Sequence, residues 1–164
     1  MTQPRATRIG LVGIGFMGWI HSLAYRRSKS AKLVAFASQD PKKRSGDWRG
    51  IQGNFGPPGE QILIDGLGVF DSLESLVQCP EVDCVDICLP PHLHVPAAVL
   101  AMKHGKDVFI EKPVALTLEG CQEIRDVSKK TGRLAMVAHV LPYMGPFRSE
   151  EHTSELQSHS DLVC

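Results

Sequence analysis

The chain alternates short, continuous apolar segments with segments whose apolar residues recur at helical spacing, and this alternation restricts the folds open to it. Strands that are apolar at every position are typical of a parallel sheet covered on both faces. The predicted strands lie at 8–12, 32–37, 69–70, 82–89, 107–110 and 134–140. The predicted helices lie at 16–27, 73–78, 95–104 and 118–131, with Ser72 and Thr117 as N-caps. Because crossovers between parallel strands are right-handed, the pattern predicts a doubly wound parallel α/β sheet.

The composition is that of an ordinary globular domain and excludes several other classes. The 164 residues are 43% hydrophobic and 22% charged, which argues against a disordered chain. Lys and Arg together number 18, as do Asp and Glu, so no overall charge favours nucleic acid or an anionic membrane as partner. No apolar run reaches the roughly 18 residues of a membrane helix, and glycines interrupt the apolar segment near the N-terminus, which argues against a signal peptide. Five cysteines without paired metal spacing are typical of reduced thiols in a cytoplasmic protein, and no metal site is expected.

A glycine motif separates the first predicted strand from the first predicted helix. Its G-x-G-x-x-G residues are Gly13, Ile14, Gly15, Phe16, Met17 and Gly18. In this context the first glycine allows a tight turn, the second lets the backbone approach a pyrophosphate, and the third lets helix and strand pack closely. The amides of Phe16 and Met17 would face phosphate oxygens at the helix N-terminus. The motif predicts a Rossmann-like dinucleotide-binding domain, although S-adenosylmethionine methyltransferases and flavoproteins also use glycine-rich first loops.

The end of the second predicted strand bears on the choice between NAD and NADP. NAD-binding proteins usually place Asp or Glu there to hold the ribose hydroxyls, and the alignment puts Ser38 at that position. Asp40 is expected to cap the turn that follows. The next residues, Lys42, Lys43 and Arg44, either pair with a 2′-phosphate or form a solvated basic turn. We therefore expect NADP(H) to be preferred slightly over NAD(H), with Ser38 and Lys43 among the cofactor-binding residues.

Two further segments follow the predicted strands at 82–89 and 107–110, at the edge where open α/β sheets bind ligands. One segment runs over 89–94 (LPPHLH) and the other is Glu111-Lys112-Pro113. A Glu-Lys pair at such an edge is able to contact the nicotinamide ribose and a substrate together. The lysine would stabilise a developing alkoxide or help to move its proton.

A further segment at 47–59 is rich in Gly and Pro and predicts a long loop between the second and third strands. Long ordered loops are often functional, but a variable surface excursion fits the composition equally well.

Taken together, these segments resemble the N-terminal domain of the Gfo/Idh/MocA oxidoreductase family, the relatives of glucose–fructose oxidoreductase and inositol 2-dehydrogenase. The matching segments are 9–18 (IGLVGIGFMG), 70–77 (FDSLESLV), 85–94 (VDICLPPHLH), 108–117 (VFIEKPVALT) and 132–140 (GRLAMVAHV). The resemblance covers residues 8–147. It implies NAD(P)-dependent hydride transfer to or from a hydroxyl-bearing carbon of a sugar, polyol or related small molecule.

The resemblance also implies residue roles. The glycines of the motif would bind the pyrophosphate, and the nicotinamide side would be lined by Leu89, Pro90 and His94. Glu111 would contact the ribose, and Lys112 would serve both cofactor and substrate as the catalytic residue. Leu89 stands where the family often has Thr, and Ser38 replaces the usual acid, so two of the family's polar contacts are missing.

The family has a second domain that supplies most substrate contacts, the catalytic His and the oligomer interface, and the residues after Phe147 are too few to form it. We therefore expect the parent protein to be a homo-oligomeric cytoplasmic enzyme, and this chain to bind dinucleotide without turnover. The string RSEEHTSELQSH, which begins at Arg148, resembles a translated sequencing adapter. The expected organisation is an NAD(P)-binding domain at 1–147 and a non-native or disordered tail at 148–164. A non-catalytic dinucleotide-binding regulatory module is the alternative function, and an S-adenosylmethionine methyltransferase is a third.

Overall fold

The computed structural model describes residues 5–139, which fold around a six-stranded sheet. Its strands are β1 (Thr7–Val12), β2 (Ala31–Ala37), β3 (Gly68–Phe70), β4 (Cys84–Ile87), β5 (Asp107–Ile110) and β6 (Ala135–Val137). They are ordered β3-β2-β1-β4-β5-β6, and every neighbouring pair is parallel. This is the doubly wound order of a dinucleotide-binding domain, so the predicted fold class is confirmed.

The helices of the described region begin and end where the local sequence signals place them. They are α1 (Phe16–Arg27), α2 (Pro41–Arg44), α3 (Leu73–Val77), α4 (His94–Lys103) and α5 (Leu118–Thr131). Ser72 accepts a hydrogen bond from the amide of Ser75, and Thr117 accepts one from the amide of Gly120, so both predicted N-caps are present. Gly132 ends α5 with a left-handed conformation.

Strand β4 is shorter than its apolar sequence predicts. The prediction covered 82–89, whereas the strand itself is Cys84–Ile87. Val82 and Leu89 contribute to the same hydrophobic cluster from the segments that flank the strand. At Val82 and Leu89, the apolar sequence therefore indicates burial rather than strand conformation.

Two hydrophobic clusters cover the two faces of the sheet. One cluster includes Val85 and Ile87 of β4 and is covered by α3, α4 and α5. The other includes Leu11 of β1 and Phe36 of β2 and is covered by α1 and the segment 45–67. Successive side chains of a strand point to opposite faces, so Asp86 of β4 faces α1.

The segment 45–67 contributes to the second cluster through Trp48. Only 1% of this residue is exposed, and its ring meets those of Trp19 and Phe36 edge-on, with centroid distances of 6.1 and 5.3 Å. The indole Nε1 donates a hydrogen bond to the carbonyl oxygen of Lys43. Trp48 thus covers sheet surface that a crossover helix usually covers. The surface-excursion interpretation of 47–59 is wrong for this part of the loop.

Within residues 5–139, no helix is both long enough and apolar enough to cross a membrane. The domain boundary predicted at 147 and the predicted non-native tail at 148–164 lie outside the described residues.

Replacing Trp48 with Ala should lower the free energy of unfolding by about 3–5 kcal/mol, because it removes a buried indole and leaves a cavity against the sheet. Leu63→Ala is the matched control in the same segment, since 88% of Leu63 is exposed, and it should change the value by less than about 0.5 kcal/mol. Urea unfolding followed by circular dichroism measures both. Equal effects from the two substitutions would contradict the packing of this segment into the core.

Candidate functional site

A cleft of about 420 Å³ opens at the carboxyl edge of the sheet. Its walls include Gly13 and Ile14 after β1, Ser38 after β2 and Leu89 after β4. Apolar side chains of α4, including Leu100, form another wall. The strand order reverses between β1 and β4, so the cleft lies at the topological switch point, where open α/β sheets bind ligands.

Two of the three motif glycines are required by the packing of the chain itself. Gly13 has φ +92°, and a Cβ added there would collide with the carbonyl oxygen of Cys88. A Cβ on Gly18 would collide with the carbonyl oxygen of Gly13. These residues let the loop pack against β4 and let α1 pack against the loop, as the motif predicts.

Gly15 is different, because nothing within residues 5–139 requires glycine there. Its φ of −111° is extended backbone that any residue adopts, and an added Cβ would meet no atom within 4 Å. The residue is the N-cap of α1, and within the described chain this helix has neither a side-chain cap nor an acidic residue in its first turn. The open space and the uncapped, positive helix end together fit an anionic group such as a pyrophosphate.

The basic residues after β2 fold back onto the loops of the cleft. The Lys43 ammonium donates a hydrogen bond of 2.6 Å to the carbonyl oxygen of Ile14, which places the charge beside the glycine motif. The Arg44 guanidinium donates to the carbonyl oxygens of Ser38 and Gln39. Asp40 accepts from the amide of Lys42, so its predicted role as the cap of the next turn is confirmed.

Acidic residues line the same cleft, since Asp71 follows Phe70, whose carbonyl oxygen accepts a hydrogen bond from the amide of Ser38, and Glu74 lies in α3. The hydroxyl of Ser38 accepts a hydrogen bond from the amide of Asp40. No carboxylate therefore stands at position 38 itself, but carboxylates lie elsewhere along the cleft.

After β5, at the same carboxyl edge of the sheet, the two charged residues of the Glu-Lys-Pro segment differ in exposure. Glu111 is buried and Lys112 is exposed. Within residues 5–139, the Lys112 ammonium makes no hydrogen bond or ion pair. The amide of Lys112 donates to the Glu111 carboxylate, so the two residues are coupled through the backbone. The free ammonium at the sheet edge is available to a ligand.

His94 is placed inside the fold rather than at the surface of the cleft. Only 1% of it is exposed. Its Nε2 lies 2.7 Å from the carbonyl oxygen of Leu89, and its Nδ1 lies 2.8 Å from that of Pro113. Both ring nitrogens are thus occupied by backbone carbonyls. In this structure His94 ties the two edge segments together and offers no free nitrogen to a ligand, while Leu89 and Pro90 lie beside it.

A buried polar cluster beneath this edge was missed by the sequence analysis. His21 Nδ1 lies 2.8 Å from Asp86 Oδ2, and His21 Nε2 lies 3.0 Å from Glu111 Oε1. The Tyr25 hydroxyl donates to Asp86 at 2.8 Å. Two signals in the sequence point to the cluster: a carboxylate within an otherwise apolar strand, and a His and a Tyr four residues apart on one helix.

The charges of this cluster favour an imidazolium at His21. Burial lowers the pKa of His21, but the hydrogen bonds and charges of Asp86 and Glu111 outweigh it, so the pKa is raised. Its ion pairing therefore stabilises the fold fully below the ordinary His pKa of about 6.5 and is lost as the pH rises through the folded-state pKa. Burial and Asp86 raise the pKa of Tyr25, which keeps it a phenol.

A nitrogen of His21, an oxygen of Asp86 and the sulfur of Cys88 lie within 4.8 Å of one another in the same cluster. Burial and the nearby carboxylates raise the pKa of the Cys88 thiol, which disfavours the thiolate that a metal requires. The hydrogen bonds already pair the imidazole with both carboxylates, and the absence of a metal stays a prediction.

Comparison with known proteins gives this site a context. A model of the GFO_IDH_MocA family, described as "Oxidoreductase family, NAD-binding Rossmann fold", matches residues 7–139. The 2,7-anhydro-N-acetylneuraminate hydratase of Escherichia coli strain K12 is 38% identical over 134 residues, which are 82% of this chain and 32% of that protein. The levoglucosan dehydrogenase of Pseudarthrobacter phenanthrenivorans is 32% identical over 133 residues, 79% of this chain and 32% of that protein.

Solved structures show the same similarity. The crystal structure of apo scyllo-inositol dehydrogenase from Lactobacillus casei has a TM-score of 0.74 and 26% identity, covering 95% of this chain and 43% of that one. The chain spans about a third of the length of the curated relatives it matches.

Gly15→Ala should leave the free energy of unfolding within about 1 kcal/mol of the parent value, because the added methyl meets open space. It should weaken NADPH binding by at least about tenfold, because the methyl occupies the approach to the helix N-terminus. Gly18→Ala is the contrasting variant and should cost about 1–3 kcal/mol of stability by overpacking. Urea unfolding and titration calorimetry measure these effects. Equal loss of stability in both variants would show that Gly15 serves packing alone.

Proposed function

The chain belongs to the Gfo/Idh/MocA oxidoreductase family, and from this membership we propose that it is the dinucleotide-binding domain of an NAD(P)-dependent dehydrogenase or reductase. The proposed substrate is a sugar, polyol or related small molecule that carries a hydroxyl group. The names of the relatives support this class, since they include a levoglucosan dehydrogenase and a scyllo-inositol dehydrogenase. One relative is named a hydratase, so proteins similar to this chain differ in the net reaction that their names state.

The observation that carries the proposal is the open space at Gly15. A glycine that neither backbone strain nor packing requires, at an uncapped N-terminus of a 12-residue helix, has a reason only if something approaches it. Its position at the switch point of a parallel sheet identifies the class of that ligand as a dinucleotide.

Different residues of the chain would bind different parts of the cofactor. The amides of Phe16 and Met17 would bind the pyrophosphate, with Gly15 leaving room for it. The adenosine half would lie in the cleft, against Ser38 and the apolar wall of α4. Leu89 and Pro90 would flank the nicotinamide, and Glu111 would accept a hydrogen bond from its ribose. The bound cofactor would supply the hydride acceptor or donor.

Lys112 is the proposed catalytic residue of the described chain. Lys112 directly follows the residue proposed to contact the ribose, and its exposed ammonium has no partner within the described residues. It would donate a hydrogen bond to the substrate oxygen and stabilise negative charge that develops there. This free cation favours an enzyme over the regulatory module, which has no need of it.

We further propose a slight preference for NADP(H). Ser38 puts no carboxylate at the end of β2, and Lys43 is held beside the glycine motif by the carbonyl oxygen of Ile14. The Arg44 guanidinium lies against the backbone of Ser38. A 2′-phosphate at this position would meet these two cations, while the carboxylates of Asp71 and Glu74, which line the same cleft, would oppose it, so the expected preference is slight.

Three broader expectations remain proposals. We assign 1–147 to the dinucleotide-binding domain, and place the catalytic His, most substrate contacts and a homo-oligomer interface outside the described residues. The free thiols of Cys79, Cys84 and Cys88 favour a reducing compartment such as the cytoplasm. The proposed partner is a small-molecule substrate, with neither nucleic acid nor membrane.

Titration calorimetry of the chain with NADPH, NADH and S-adenosylmethionine tests the proposed function. We expect both dinucleotides to bind and S-adenosylmethionine to give no heat of binding, because it carries no phosphate for the N-terminus of α1. Binding of S-adenosylmethionine without either dinucleotide would overturn the proposal in favour of a methyltransferase.

The cofactor preference has its own test in Ser38→Asp. The parent chain should bind NADPH more tightly than NADH, and the variant should reverse that order, because the new carboxylate accepts from ribose hydroxyls and repels a 2′-phosphate. Ser30→Asp adds the same charge just before β2, at the opposite end of the strand, and should leave the order unchanged. Tighter NADH than NADPH binding by the parent would refute the preference.

A further inference from the structure

We infer that His21, which bridges Asp86 and Glu111 beneath the sheet edge, is a positioning residue that fixes the Glu111 carboxylate for the nicotinamide ribose. The inference deepens the proposed function and rests on it. Of the three bridged residues only Glu111 is a predicted site residue, whereas His21 lies on α1, one turn after the glycine motif.

Both oxygens of the Glu111 carboxylate are held, one by His21 and the other by a backbone amide. Oε1 lies 3.0 Å from His21 Nε2, and Oε2 accepts a hydrogen bond of 3.1 Å from the amide of Lys112. Any rotation of the carboxylate breaks one of these contacts. Only 9% of the Glu111 side chain is exposed, so water offers little replacement. The orientation of Glu111 is therefore set by the chain before any ligand arrives.

The imidazole itself is held from three sides. Its Nδ1 contacts Asp86, which also accepts from the Tyr25 hydroxyl, and the Cys88 sulfur lies 3.5 Å from both His21 Nδ1 and Asp86 Oδ1. The ring stacks on Phe109, with centroids 5.6 Å apart and 29° between the planes. Since Asp86 belongs to β4 and Phe109 to β5, the ring is fixed to the sheet rather than to a loop.

The bridge depends on protonation. The titratable groups that face His21 are Asp86 and Cys88 from β4 and the residue after it, Glu111 from the end of β5, and Tyr25 from α1 itself. Only a doubly protonated imidazole donates to both carboxylates at once, because the neutral ring has a single N–H. The two carboxylates raise the pKa of His21 against the opposing effect of burial. As the pH rises through that folded-state pKa, one carboxylate loses its donor. The remaining proton stays on Nδ1, because Asp86 is the nearer carboxylate (2.8 against 3.0 Å) and the more deeply buried one, so Glu111 is no longer held at both oxygens.

The test compares two ligands that share one half. NADPH would reach Glu111, whereas adenosine 2′,5′-bisphosphate contains only the adenosine half and would not. Calorimetry with both, between about pH 6 and pH 9, gives a ratio of affinities in which the titration of the shared phosphates and of the cleft cancels. NMR of the His21 ring in the same chain locates its pKa.

We expect the NADPH affinity, relative to that of the bisphosphate, to fall by about tenfold as the His21 ring deprotonates, which is the loss of one charged hydrogen bond. His21→Gln should show the lowered ratio at every pH and no pH dependence. His104→Gln, at an exposed His near the opposite edge of the sheet, is the matched control and should behave as the parent does.

The outcomes separate the inference from the proposed function. A parent chain that binds neither ligand overturns the proposed function, and the inference with it. A parent chain that binds both, with a ratio independent of pH and of His21, overturns the inference alone. Equal loss of both ligands in His21→Gln would assign His21 a merely structural role and would also overturn it. If that variant does not fold, the pH series on the parent chain decides the question by itself.

Discussion

The site depends on how closely the backbone of the glycine motif approaches the backbone after β4. The amide of Cys88 donates to the carbonyl oxygen of Val12, and a Cβ on Gly13 would strike the carbonyl oxygen of Cys88. This contact exists because β1 and β4 are neighbours although they are far apart in the chain. It places the N-terminus of α1 beside the edge segments 88–94 and 111–113. The uncapped N-terminus of α1 and a lysine that is unpaired within residues 5–139 therefore share one edge of the sheet.

A charged cluster is tolerated inside the domain because its members are paired with one another. Burying the Asp86 and Glu111 carboxylates is costly unless each is paired and hydrogen-bonded. His21 pairs with both, and within the described residues no buried side-chain nitrogen or oxygen lacks a hydrogen-bond partner. The cluster joins α1 to two strands by polar contacts, whereas Trp19 and Trp48 join α1 and the segment 45–67 by apolar ones.

The two edges of the sheet use their charged residues differently. At the amino edge, Asp83 is paired with Arg8 and Arg5, and the Arg8 guanidinium holds the pKa of that carboxyl well below its usual range. Lys106 is buried there, with its ammonium bound to the carbonyl oxygens of Cys79 and Val82. At the carboxyl edge, Lys112 stays exposed and unpaired within the described chain. The cations at the amino edge are thus paired, as are Lys43 and Arg44 at the carboxyl edge, and Lys112 differs from all of them.

The sequence by itself determined the features that depend on near neighbours in the chain. Apolar continuity and helix caps located the strands and helices, and the spacing of Gly13, Gly15 and Gly18 located the tight turn between β1 and α1, because caps and turns are decided by a few adjacent residues. It also placed Glu111 and Lys112 at a strand end.

Only the tertiary structure decided which side chains of distant segments meet. It put Trp48 into the core, turned His94 inward onto two carbonyls, and joined His21, Asp86 and Glu111 into one cluster. These contacts join residues up to 90 positions apart in the chain. They follow from the register of parallel strands and the packing of α1 on the sheet, which no local pattern of residues encodes.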